Sequence, residues 1–278
     1  LQSCTPWRSG TTPDMDIYLP TSSGNNNHSP SPRVNTIYMA QTEVISNQTN
    51  GTVLNGDTSH RANGVSAPPV LKRLPPTATA EDVLEVLRSD GGVIVQQLAD
   101  SGTLDQINKE ILPHLNAGNE HEGITFPKEN RRVCALAGKS RTFATKLLNH
   151  PLYQEVARNL LGKSTTVYYG EDQVTSTSEP QVTNTMAFWV GPGSAAQGLH
   201  RDDQCHHTRH PAKYETDLGV MFAGTRSRRE TGATNVVPGS HKWDDERKPN
   251  ISEAIPVELE RGDALIWYVM TYLPLLDF

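Results

Sequence analysis

After Gly162 the chain runs as a succession of short apolar segments, STTVYYG, NTMAFWVGPG, DLGVMFAG, TNVVPGS, AIPVELERG and ALIWYVM, separated by glycine, proline and charged residues. This spacing constrains the fold more than any other feature. Segments of that length, rich in β-branched and aromatic residues, suit strands and are interrupted too often for core helices. They predict a closed or sandwiched antiparallel β fold. The part before Gly162 differs. Thr79 is placed to cap a helix whose Val83, Leu84 and Leu87 form an apolar stripe ending near Gly91-Gly92. Val93-Ile94-Val95 reads as a strand. Residues 104–115 and 140–161 carry further helical spacing, the second with Phe143, Leu147, Leu148, Tyr153 and Val156 at core-like positions. The predicted class is mainly β with flanking α-helices.

From Leu1 to about Pro69, Ser, Thr, Asn, Gly and Pro dominate, as in SGNNNH and SPSPR, and no apolar period is sustained. Such a segment cannot bury enough apolar surface to offset its chain entropy. It reads as a disordered leader, residues 1–69, before one domain, residues 70–278. With 278 residues the chain can bury a sizeable core. Its net charge of -6 sets aside general affinity for nucleic acid or an anionic membrane surface. Cys4, Cys134 and Cys205 are odd in number and lack a CxxC spacing. They indicate neither a disulfide framework nor a zinc cluster, and point to a reducing, cytoplasmic setting. Cys134 reads as a small core residue, as do the larger Phe188, Trp189 and Trp267. Arg132, Lys139 and Arg141 read as a solvated face.

The chemistry concentrates in residues 198–210, GLHRDDQCHHTRH. An H-x-D spacing puts His200 and Asp202 on one side of an extended strand. An imidazole nitrogen and a carboxylate, completed by a distant histidine, form the facial triad that leaves positions open on Fe(II). A His beside an Asp is more often an ordinary hydrogen-bonded surface pair. The setting favours a site, because the pair follows the glycine-rich turn GPGSAAQG at the end of the apolar strand Met186 to Val190, and barrel mouths gather ligands. His206, His207 and His210 read as hydrogen-bonding residues around the pocket rather than extra ligands.

The run LHRDDQCHHTRHP, followed by TGATNVVPGSHKW and RGDALIW, resembles the fungal branch of the phytanoyl-CoA dioxygenase family, over roughly residues 74–272. The resemblance implies a double-stranded β-helix (jelly roll, cupin-like), a mononuclear Fe(II), and 2-oxoglutarate and O2 as co-substrates. It implies oxidation of a fungal secondary metabolite such as a meroterpenoid or alkaloid, by hydroxylation, desaturation, epoxidation or rearrangement. Halogenation is disfavoured, since Asp202 fills the position that chloride would need. His200 and Asp202 match the first two iron ligands. Gln197 matches a glutamine that contacts 2-oxoglutarate, and Thr234, or else Thr231, matches a threonine with the same task. By analogy a homodimer is admitted. His241, in PGSH, matches a turn histidine of structural role.

Two departures stand out. The family's third ligand is a histidine after the GDALIW strand, where this sequence has Leu273, and the arginine that clamps the far carboxylate of 2-oxoglutarate is missing. The C-terminal strands therefore read as truncated, through an altered splice or frame or in a degenerate paralogue, with the former favoured because LPLLDF breaks abruptly from the family pattern. Two rival readings follow. One is a non-catalytic β-barrel binding protein, which Leu273 supports. The other is a cupin-like metalloenzyme that uses His200, Asp202 and His241 without 2-oxoglutarate, which requires His241 to point inward.

Overall fold

A computed structural model of the chain describes residues 36–42, 70–116, 130–191, 193–194 and 196–274. In chain order the elements are β1 (Thr36–Thr42), β2 (Arg73–Leu74), α1 (Ala80–Asp90), β3 (Gly92–Val95), α2 (Ser101–Asn116), β4 (Arg131–Cys134), α3 (Leu136–Lys139), a π-helical turn (Phe143–Leu148) and α4 (Pro151–Leu161). They continue with β5 (Lys163–Tyr169), β6 (Asp172–Ser178), β7 (Gln181–Trp189), β8 (Asp217–Ala223), β9 (Asn235–Val236), β10 (Ile255–Pro256) and β11 (Ala264–Tyr268). Short 3-10 turns fall between β7 and β10, among them Asp202–His206 and Ser240–Lys242.

Seven strands form one sheet in the order β2-β3-β11-β8-β1-β7-β4. The alternation of side chains across its central strands divides two cores. Val93 and Val95, Leu218, Val220 and Phe222, and Ala264, Ile266 and Tyr268 face the helices α1, α2 and α4. The residues between them, Ile94, Met221, Ala223, Leu265 and Trp267, face a second layer that supplies Val236, Val257, Leu259 and Leu273. Buried on both faces, these strands read in sequence as nearly continuous apolar runs. The second layer is a set of short ladders: β9 with β10, the bridges His200↔Leu273 and Ser227↔Leu259, and the bond from the Val237 N–H to the Tyr272 carbonyl. Two layers of antiparallel strands around an apolar interior make the predicted jelly roll. At its centre Trp267 pairs across the strand with Gly219, where any Cβ would lie 2.4 Å from the indole ring. Only glycine lets that ring lie against the neighbouring backbone.

Helix α1 forms as its sequence predicts. The Thr79 hydroxyl accepts the Asp82 N–H at 3.2 Å, the Asp82 carboxylate accepts the Thr79 N–H at 2.8 Å, and the left-handed Gly91 ends the helix with φ 81°. The 140–161 region is one helical pattern in sequence but two elements in the fold. Pro151 starts α4 at its first turn, and His150 before it is extended, as a residue preceding proline prefers. Within the span read as a leader, Thr36–Thr42 forms β1 in the middle of the large sheet, antiparallel to both β7 and β8. The rest of residues 1–69 lies outside the described residues. Seven residues in a polar surround carry too little local pattern to signal a strand, and the sheet supplies both hydrogen-bonding edges. Cys134 is exposed, contrary to the core reading, because along β4 it is Val133 that turns inward. Lys139 and Arg141 are exposed as expected. Among the described residues no helix is long and apolar enough to cross a membrane.

Candidate metal centre

His200 and Asp202 come together at the edge of the second layer. The segment before them pairs with the chain just after β11. The N–H of His200 donates to the Leu273 carbonyl at 3.1 Å, the N–H of Leu273 returns to the His200 carbonyl at 2.9 Å, and the Asp202 N–H donates to the Val269 carbonyl at 3.0 Å. The extended backbone that the H-x-D reading assumed for the pair reaches only Arg201, since a 3-10 turn begins at Asp202. The His200–Asp202 juxtaposition survives this change, with His200 Nε2 at 3.4 Å from Asp202 Oδ1.

The tautomer of His200 follows from its other nitrogen. A carbonyl oxygen only accepts, so the Nδ1 contact with Gly198 O at 2.8 Å puts a proton on Nδ1. Nε2 is left facing the carboxylate. Two electron-pair donors at this separation favour a cation between them, and the His200 pKa is raised, chiefly by the Asp202 side chain. A proton answers that demand, and so would a divalent metal. Both side chains are about 70 % buried, at 30 % and 27 % exposure, which leaves an open approach.

The residues flanking Asp202 are fixed by a chain of charges. Arg201 donates through Nη1 to Asp245 Oδ1 at 3.2 Å and through Nη2 to the carbonyls of Ser240 and Trp243, and its guanidinium lies over the Tyr272 ring at 4.4 Å. Asp203 meets His210 Nε2 at 2.7 Å, and His210 Nδ1 meets the same Asp245 at 2.6 Å. Both neighbours of Asp202 are thereby tied to Asp245, whose pKa is lowered first by the backbone N–H of His210. His210 is the structural hydrogen-bonding residue that the sequence suggested. His206 lies 3.7 Å from Asp217, with its pKa lowered by burial. Glu215, whose carboxyl also feels the charge of Asp203, is buried enough for its pKa to rise to about 8.

His241 is not brought to this centre. Its Nε2 meets the Arg88 carbonyl at the end of α1 at 3.3 Å, its ring packs edge-on against Tyr268, and its Nδ1 is where a Cβ on Gly91 would fall. Burial drives its pKa down to about 4. The structural reading of PGSH stands, and the cupin-like arrangement that needs His241 as a ligand does not form. Gln197 is half-buried in the loop leading to His200. Of the two threonines, Thr231 spends its hydroxyl on the Arg228 backbone, whereas Thr234 is buried with its hydroxyl 3.6 Å from Met221 Sδ, beside the apolar interior.

His200 and Asp202 fit two positions of a facial iron site. The third is not filled: among the described residues no group of three or more His, Cys, Asp or Glu is arranged to hold a metal ion, and the residue opposite His200 is Leu273. Asp245 and Arg201 were not singled out as tethers in the sequence. The His-Pro step at 210 and the DD pair at 244–245 give no spacing that would have joined them.

Residues 87–272 match the family profile of phytanoyl-CoA dioxygenase (PhyH). The chain is 36% identical over 204 residues to the dioxygenase peniF of Penicillium patulum, covering 70% of this chain and 66% of that protein. It is 33% identical over 210 residues to the dioxygenase swnH1 of Arthroderma benhamiae, covering 73% and 68%. It thus spans about two thirds of the length of these relatives. Among solved structures, the α-ketoglutarate-dependent carbocyclase SnoK from nogalamycin biosynthesis aligns with TM-score 0.52 at 16% identity, over 72% of this chain and 80% of that one. HygX from Streptomyces hygroscopicus, with nickel, 2-oxoglutarate and hygromycin B bound, aligns with TM-score 0.51 at 16% identity, over 70% and 80%. At these identities the two structures bear on the fold, which is the same two-layered jelly roll.

Proposed function

The chain belongs to the phytanoyl-CoA dioxygenase family, whose members are Fe(II)/2-oxoglutarate-dependent oxygenases, and from that membership we propose that the protein it represents oxidises a small fungal secondary metabolite of terpenoid or alkaloid type. The observation that carries the reading is the His200 Nε2–Asp202 Oδ1 pair, 3.4 Å apart at the edge of a jelly roll with an apolar interior. Bound iron with 2-oxoglutarate would supply the oxidising power. His200 and Asp202 are its protein donors, with the Gly198 carbonyl holding the His200 ring in the tautomer that presents Nε2. Arg201 and the Asp203–His210–Asp245 chain keep Asp202 aimed from both sides. Gln197 and Thr234 are assigned to the co-substrate, Thr234 because its hydroxyl faces the interior that Thr231 does not reach. Met221, Leu259 and Leu273 line that interior and favour an apolar substrate skeleton.

Leu273 favours a second reading, a jelly-roll binding protein that keeps the cavity without the metal. Conversion of 2-oxoglutarate to succinate under O2, with and without Fe(II), separates the two. Iron-dependent succinate that His200→Ala and Asp202→Ala abolish is the expected result for the oxygenase. A folded wild type that binds 2-oxoglutarate or an apolar ligand, and yields no succinate at any iron concentration, leaves the binding protein.

A further inference from the structure

We propose that Leu273 stands at the position of the third metal ligand, so that the centre has two protein donors among the described residues, and that a histidine at 273 completes it. The inference rests on reading His200 and Asp202 as metal donors. Leu273 and His200 exchange both backbone hydrogen bonds, at 2.9 and 3.1 Å. Residues paired in this way across antiparallel strands project to the same face, with Cα atoms about 5.5 Å apart. The register is held on its other side as well, because the Asp202 N–H bonds the Val269 carbonyl and the Val237 N–H bonds the Tyr272 carbonyl. The side chain at 273 is therefore fixed beside that of His200. It points into the interior, 6% exposed, among Met221, Val236, Leu259 and Trp267.

At present that position offers only methyl groups. The other buried histidine near the second layer, His241, is held at the end of α1, and His210 is engaged by two carboxylates. With no third donor among the described residues, a divalent metal at His200 and Asp202 takes its remaining ligands from 2-oxoglutarate, water or buffer, and exchanges readily.

Co(II), whose visible bands report its ligands, is titrated into the full chain and into Leu273→His, with 2-oxoglutarate present and absent. Thermal melting of each variant confirms folding. Partners that only orient a metal ligand are worth about 10–100-fold in affinity, so a new direct ligand is expected to tighten Co(II) by at least about tenfold. The gain disappears when His200→Ala is added to Leu273→His. A wild type that already binds Co(II) as tightly as Leu273→His overturns the proposal, since a third donor then comes from elsewhere. If Leu273→His binds no tighter while His200→Ala still weakens the wild type, position 273 does not face the metal, and the donor reading stands without the proposal. If His200→Ala and Asp202→Ala leave wild-type binding unchanged, the donor reading fails and the proposal with it. Should Leu273→His not fold, Leu273→Ala with added imidazole takes its place. Tighter Co(II) binding in imidazole is expected, and no change overturns the proposal.

Discussion

Two histidine-bearing regions lie side by side and have opposite fates. In residues 199–210, His200 is partly open and faces a carboxylate at 3.4 Å. In the 239–243 turn, His241 is 7% exposed, donates through Nε2 to the Arg88 carbonyl, and its pKa falls to about 4 through burial. The two are joined by Arg201, which reaches from the first region to the carbonyls of Ser240 and Trp243 in the second. A histidine's role is decided by what surrounds it. A carboxylate and an opening suit His200 to the ligand role proposed for it, and apolar burial at a helix end makes His241 a spacer.

The comparison breaks most severely at the carboxylates that hold the first region. His210→Ala leaves Asp203, 2% exposed, as a buried charge without its partner, and is expected to cost about 3–5 kcal/mol in urea unfolding. Next comes the socket of His241. Gly91→Ala forces a left-handed alanine and sets a Cβ 2.4 Å from His241 Nδ1 and 2.6 Å from Thr271 Oγ1. A loss of about 1–3 kcal/mol, read as a lowered denaturation midpoint, is expected from the strained backbone.

The pH dependence sharpens the contrast further. His241 has a folded pKa of about 4 against an ordinary 6.5. The unfolded chain therefore takes up its proton first, and the stability present above pH 6.5 is lost as pH falls towards 4. His241→Gln flattens that acid arm. Glu215 acts in the other direction, with a folded pKa raised by burial to about 8 from 4.5. Its contribution is fully present below pH 4.5 and is lost as pH rises to 8, and Glu215→Gln removes the loss. Melting curves between pH 4 and 9 show both arms. The smallest effect on stability is expected from His200→Ala, about 1 kcal/mol as for the loss of a partly buried hydrogen bond, although the same variant is expected to lose the proposed metal binding. If His200→Ala unfolds the protein while His241→Gln is silent, the division of roles is reversed.

The sequence made some of this legible for local reasons. Thr79, Asp82 and Gly91 specify α1 by themselves, and the H-x-D pair is close in space because it is close in sequence. The β8 and β11 segments announce burial by apolar runs that no surface could carry. What stayed hidden was set by distant partners. The tether of His210 to Asp245 spans a loop with no spacing rule. Cys134 depends on which way β4 turns. The hairpin of β5 and β6 is exposed along nearly its whole length, and two of its cross-strand contacts are hydroxyl pairs, Ser164 with Thr177 and Thr166 with Thr175. The sequence pattern pointed to β5, within STTVYYG, but not to β6, whose DQVTSTS is polar throughout but for one valine, nor to a hairpin with both faces in water. The position of Leu273 was legible only through the family resemblance, and the fold supplies the reason, a mutual pair of hydrogen bonds with His200.

Strand β1 sets an order of events during synthesis. Thr36–Thr42 leaves the ribosome before the other described elements, yet its edges pair with Gln181–Phe188 on one side and Asp217–Ala223 on the other. The sheet cannot close until β8 has been translated, and until then β1, paired with β7 on one side only, presents its other edge to other chains. The nascent protein is thus most exposed to misassembly while the His200 segment is emerging, and ribosome stalling between β7 and β8 is the stage at which a chaperone would have the most to cover.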